Sequence, residues 1–134
     1  MGHAVKQRLA HIALVVADYD EAIAFYSEKL GFDLIADEAQ PAEDKRWVLV
    51  RPPESDGCSI LLAKARVGQE HAIGDQCAGR VFLFLETDDF QRDFRKYREA
   101  GIEFVREPKT EGYGTVAVFK DIYGNLWDLV EFAK

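Results

Sequence analysis

From Leu9 to Ala17 apolar positions alternate with a period near two, and the stretch is rich in Val, Leu and Ile. That pattern predicts a half-buried strand. Asp18 follows as a helix N-cap, and Glu21 stands three residues on, at the spacing of a capping box. Ala22, Ile23, Phe25, Tyr26 and Leu30 then recur at helical intervals until Gly31 stops the helix. The same order returns at Arg80 to Ile102, with a strand over Arg80–Thr87 and Asp88 and Asp89 as cap candidates. A helix over Asp89–Ala100 follows, with Phe90, Phe94 and Tyr97 on one face and Gly101 as its stop. A strand, cap, helix and glycine used twice predict two copies of one module.

Each copy continues with three more strands. In the first they are predicted at Phe32–Asp37, Arg46–Arg51 and Cys58–Ala63, separated by a charged loop at Glu38–Lys45 and by the turn residues Pro52, Pro53, Ser55 and Gly57. In the second they fall at Ile102–Arg106, Thr115–Lys120 and Asn125–Phe132, with a loop over Glu107–Gly114. The expected fold is α+β: two βαβββ modules whose cupped mixed sheet encloses a cleft, each helix covering one sheet face. Residues 1–134 then form one domain, with a first module at 8–63, a connector at 64–79 and a second module at 80–133.

Composition narrows the function. A net charge of −7 argues against a nucleic-acid partner, which needs a basic face. No apolar run approaches the roughly 20 residues of a membrane helix, and MGHAVKQR lacks the apolar core of a signal peptide. A cytoplasmic protein is expected. Cys58 and Cys77 fit neither a zinc pattern nor a disulfide framework.

Registering the copies locates candidate chemistry. Aligning Asp18 with Asp89 pairs His11 with Phe82 and Tyr26 with Tyr97, while the closing strands pair Leu61 with Asp128. By strand alternation, Arg80, Phe82, Phe84 and Glu86 share a face. Asp128, an acid in an apolar strand, needs a partner, for which Arg80 is the candidate. Trp47 and Tyr113 are candidate walls, and the glycines around Tyr113 suit a flap or an ordinary hairpin turn.

The stretches HIALVVADYDEAIAFYSEKLGF and VAVFKDIYGNLWDLVEF resemble the vicinal oxygen chelate superfamily, which includes glyoxalase I, extradiol dioxygenases, and fosfomycin- and bleomycin-resistance proteins. The resemblance implies paired βαβββ modules, a small-molecule cleft and commonly a homodimer. It also implies a divalent metal held by residues at the positions of His11, Leu61, Phe82 and Asp128, where family members usually carry Glu in place of the last. Only His11 and Asp128 can coordinate, so the metal set is incomplete and the cofactor is left unassigned.

Three functions follow as expectations. The first is a protein that binds a small polar or aromatic molecule, with Trp47, Leu61, Arg80, Phe82, Phe84, Tyr113 and Asp128 as contacts. If it catalyses, the step is of lyase or isomerase type, with His11 or Glu86 moving a proton and Arg80 steadying an oxyanion. The second is a non-catalytic protein that sequesters a drug or metabolite, the acidic charge suiting a cationic ligand. The third is a metal-dependent glyoxalase- or dioxygenase-type enzyme.

Overall fold

The computed structural model describes residues 4–134, so Met1–His3 of the expected single domain lie outside the description. The first strand, β1 (His11–Val16), leads through Asp18 into α1 (Tyr19–Ile23), and the Asp18 carboxylate accepts from the Glu21 N–H at 2.9 Å. The Asp18 N–H donates instead to the Tyr123 hydroxyl at 3.4 Å, tying the cap to the other half of the chain. The helix then widens into a π-turn over Ala24–Lys29, closed by the Leu30 N–H donating to the Phe25 carbonyl. A single α-helix was the sequence expectation. The wider turn buries the neighbours Phe25 and Tyr26 together with Leu30.

After Gly31 come β2 (Asp33–Gln40), a 3₁₀ turn at Pro41–Glu43, β3 (Lys45–Arg51) and β4 (Ser59–Lys64). The second half runs β5 (Val81–Glu86), α2 (Phe90–Glu99), β6 (Phe104–Glu111), β7 (Gly114–Lys120) and β8 (Leu126–Phe132). Asp89 rather than Asp88 caps α2, accepting from the Arg92 N–H at 3.1 Å, while Asp88 pairs with the Arg92 guanidinium. The loop expected at Glu107–Gly114 is mostly strand: β6 carries on through Pro108 to Glu111, and only Gly112 and Tyr113 turn. Pro108 is tolerated because β6 is an edge strand and its register slips between Arg106 and Lys109. Tyr113 therefore sits on a tight hairpin and not on a flap.

The strands form two four-stranded mixed sheets, ordered β1-β4-β3-β2 and β5-β8-β7-β6. In each, the first strand runs parallel to the last, and the remaining neighbours are antiparallel. The helix-bearing faces of both sheets bury into one core. Leu14, Val16, Val48, Val50, Ile60 and Leu62 meet Leu85, Ala117, Phe119, Trp127 and Leu129 there, with Tyr26, Leu30, Phe90 and Tyr97 from the helical segments. Trp127 sits centrally, its ring 5.9 Å from those of Tyr26, Phe32 and Phe119.

Polar bonds pin the halves around this core. Asp121, 5 % exposed, takes backbone N–H bonds from Tyr123, Gly124 and Asn125 at 2.9–3.0 Å on one oxygen. Its other oxygen accepts from Asn125 Nδ2 at 2.8 Å and from the Tyr26 hydroxyl at 2.7 Å. Burial, and then the Asp121 charge, raise the Tyr26 phenol well above its ordinary pKa, so it is a donor at every working pH. Asn125 Oδ1 in turn accepts from the Gln76 N–H, and the Gln76 side chain accepts from Val15 N–H and donates to the Ala13 carbonyl. The connector fits tightly here: a Cβ on Gly74, whose φ is +75°, would lie 2.0 Å from the Tyr123 carbonyl oxygen. Tyr26→Phe removes one donor from a buried carboxylate and is expected to cost about 1.5–3 kcal/mol. Urea unfolding at pH 7 measures it, and a loss within error of zero would show that the bond does not bind the halves together.

Candidate functional site

Alternation leaves each sheet a second face, turned away from the shared core. On the first sheet that face carries His11, Ala13, Leu61, Ala63, Trp47 and Leu49, set by the pairing of Ala13 with Leu61 and of Leu61 with Leu49. The His11 ring meets Trp47 edge-on, with centroids 5.7 Å apart. Trp47 and Leu61 border a cavity of about 260 Å³ at the ends of β3 and β4. Beside it Arg46 is fixed by structure: it bonds Asp37 at 2.7 Å and Asp20 at 2.9 Å and lies over the Tyr19 ring. Hydrogen bonding from Arg46 lowers the Asp37 pKa, and the two carboxylates raise that of Arg46.

On the second sheet, register aligns Phe84, Asp128, Val118 and Arg106 across four strands. Phe84 is 68 % exposed, and Phe132 and Tyr113 are also open to solvent. Asp128 lines a separate cavity of about 270 Å³ with Arg106, Glu107, Lys109, Glu111 and Tyr113. Burial raises the Asp128 pKa, and the charge of Arg106 opposes that shift. Arg106, which the sequence argument did not single out, is thus the cation facing Asp128. Only the β6–β7–β8 register reveals it.

The remaining candidates scatter. Arg80 is exposed in the turn before β5, its N–H bonded to the Cys77 carbonyl, and makes no ion pair among the described residues. The expected ion pair with Asp128 is not formed, and Arg106 is the cation whose charge acts on that carboxyl. A register slip between Val81 and Leu83 breaks the alternation assumed for β5, so Phe82 packs on the core, 6.4 Å from Trp127, and not beside Phe84. Glu86 is exposed and borders a third cavity with Pro53, Asp88 and Arg92. Within one chain, then, His11, Trp47 and Leu61 share a face of the first sheet and Phe84 and Asp128 share a face of the second; Trp47 and Leu61 line one cavity and Asp128 another.

This donor set does not fit the metal centre implied by the family. Leu61 offers no donor atom, the Phe82 ring is turned to the core, and His11 and Asp128 lie on different sheets. Among the described residues no three His, Cys, Asp or Glu side chains converge to hold an ion.

Two four-stranded sheets, each built β-α-β-β-β with unlike clefts on their outer faces, define the class of fold. The chain belongs to the Glyoxalase/Bleomycin resistance protein/Dioxygenase superfamily, whose family model matches residues 8–129. An uncharacterized protein of Shewanella frigidimarina (strain NCIMB 400) is 60 % identical over 128 residues, covering 95 % of both chains. The uncharacterized protein YurT of Bacillus subtilis (strain 168) is 34 % identical, covering 89 % of this chain and 94 % of its own. Among solved structures, UcmS2 superposes with a TM-score of 0.80 at 30 % identity, over 94 % of this chain and 98 % of its own. TnmS3, an antibiotic binding protein from Streptomyces sp. CB03234, gives 0.78 at 29 % identity, over 98 % of this chain and 100 % of its own. No helix of the described residues is long and apolar enough to cross a membrane.

The raised pKa of Asp128 carries a sign. Folding disfavours the ionised form, so its contribution to stability is best below the unfolded carboxylate pKa and is lost as pH rises through the folded value. Asp128→Asn is expected to gain stability over the parent at pH 7, with the gap narrowing towards about pH 4. Urea midpoints across that range measure it. A gap that widens on acidification contradicts the assignment.

Proposed function

We propose that this protein is a cytoplasmic homodimer that binds a small aromatic molecule between unlike sheet faces and does not transform it. The outer face of the first sheet in one copy lies against that of the second sheet in the other. One observation supports this: Trp47, His11 and Leu61 share one outer face, Phe84 and Asp128 the other, and Phe84 is left open to solvent in a single chain. A 68 % exposed Phe84 on a strand argues for a covering surface. The charges differ between the two faces: Lys45, Lys64 and Arg66 border the first face's cavity, whereas Asp128, Glu107 and Glu111 border the second's together with Arg106 and Lys109. Binding without chemistry is supported by the donor set, and the likeness to an antibiotic binding protein agrees with it.

A second reading keeps the lyase or isomerase step. Its support is the Asp128 carboxyl, which burial holds above its ordinary pKa and so closer to a proton-transfer role.

Sedimentation and fluorescence test the lead reading together. Phe84→Glu is expected to convert a dimer into a folded monomer with unchanged far-UV circular dichroism. A monomeric parent protein sinks the paired cleft. An aromatic ligand is expected to quench the half-buried Trp47 and leave the core residue Trp127 unaffected, so Trp47→Phe abolishes the response. Conversion of the ligand on prolonged incubation, lost in Asp128→Asn, would instead establish the enzymatic reading.

A further inference from the structure

The net charge of −7 suggests a cationic ligand, yet the charges bordering the first sheet's outer face run the other way. Its cavity is lined by Lys45, Arg46, Lys64 and Arg66, with Gln40 and Gln69 as polar neutral groups, and by no carboxylate. Not all of these cations are available. Arg46 is held by Asp37 and Asp20, and Lys45 lies 3.4 Å from Glu43. Lys64 and Arg66, by contrast, have no carboxylate within 4.0 Å among the described residues, although both also line an adjoining cavity that Glu43 and Asp44 border. Two free cations remain next to an aromatic and aliphatic wall made by Trp47 and Leu61.

Gln40 and Gln69 line the same cavity as neutral polar groups. The volume, about 260 Å³, is just under the roughly 300 Å³ at which ligand pockets begin. It suits one small ring system and its charged substituent.

We propose that this cavity seats the anionic group of the bound molecule, so that the ligand is a small aromatic anion: a planar ring bearing a carboxylate or a phosphate. Lys64 and Arg66 neutralise the charge, and Trp47 and Leu61 take the ring. The assignment rests on the binding function proposed above and gives it a ligand class. Trp47 by itself would accept a cation over its face, but two unpaired cations beside it oppose one at close range.

Titration calorimetry of the protein with four matched probes decides the matter: 2-naphthoate, 2-naphthyl phosphate, neutral 2-naphthamide and 2-naphthylmethylammonium. At least one of the two anions is expected to bind about tenfold or more tightly than the amide, and the stronger of the two identifies carboxylate or phosphate as the natural group. Raising the salt concentration is expected to erode that preference. Lys64→Ala combined with Arg66→Ala changes two exposed side chains, so the fold is expected to persist, as an unchanged thermal midpoint would confirm. The double variant is expected to lose most of the anion preference while binding 2-naphthamide as before. Equal affinity for anion and amide, tighter binding of the ammonium probe, or a preference that survives the double substitution each overturns the anion seat and leaves the ring-binding cleft standing. Failure of all four probes to bind at millimolar concentration overturns the cleft as well.

Discussion

A single buried carboxylate holds this molecule together. Asp121 accepts five hydrogen bonds, three from the backbone of its own turn, one from the Asn125 side chain and one from Tyr26 on the far side of the core. An ionised acid among apolar rings would be costly without such partners. With them it becomes a rigid corner, because each donor fixes a different segment. The three turn amides shape the reversal between β7 and β8, and the phenol anchors the π-turn that follows α1. Asn125 then passes the restraint to Gln76 and so to β1. The aromatic cluster around Trp127 provides the apolar burial, and this polar chain sets the position of one half against the other.

That placement governs what the outer faces can do. The helix-bearing faces are used up in a common core, and the opposite faces carry Trp47 with Leu61 on one sheet and Phe84 with Asp128 on the other. The two faces also differ in charge. Basic side chains gather at the ends of β3 and β4, whereas Asp128 sits among both signs opposite Arg106. The two outer faces are therefore unlike in chemistry although they are built from the same element order.

The element order was legible in the sequence because it depends on local patterns. Alternation marked the strands, Asp18 and Asp89 marked the helix starts, and glycines marked the stops. The candidate site was less legible because it depends on register between strands far apart in sequence. Trp47, Leu61, Phe84 and Asp128 do lie on outer faces, but the sequence left the facing of the Arg46–Arg51 strand, and so of Trp47, unassigned, and pairing with β4 settles it. Phe82 does not lie on one, since one extra residue in β5 turns it over, and nothing local in Arg80–Thr87 announces the slip. Arg106 was missed for a related reason. In the sequence argument its strand ended at Arg106 itself and Glu107–Gly114, with Pro108, read as a loop, since proline reads as a break unless the strand is known to lie at an edge. The widened turn at Ala24–Lys29 has the same residue spacing as an ordinary helix over so short a span.

Gln76 carries one more consequence. Its amide accepts from the Val15 N–H at 3.1 Å and donates to the Ala13 carbonyl at 3.2 Å, which is how one residue of a neighbouring strand would bond to β1. The strand it covers is the open end of the first sheet, with the apolar sequence His11–Val16. A bare edge of that composition is a template on which further chains can stack into fibrils. By occupying the middle of that ladder with a side chain, the connector blunts the edge and guards the protein against ordered aggregation, a service unconnected with any ligand.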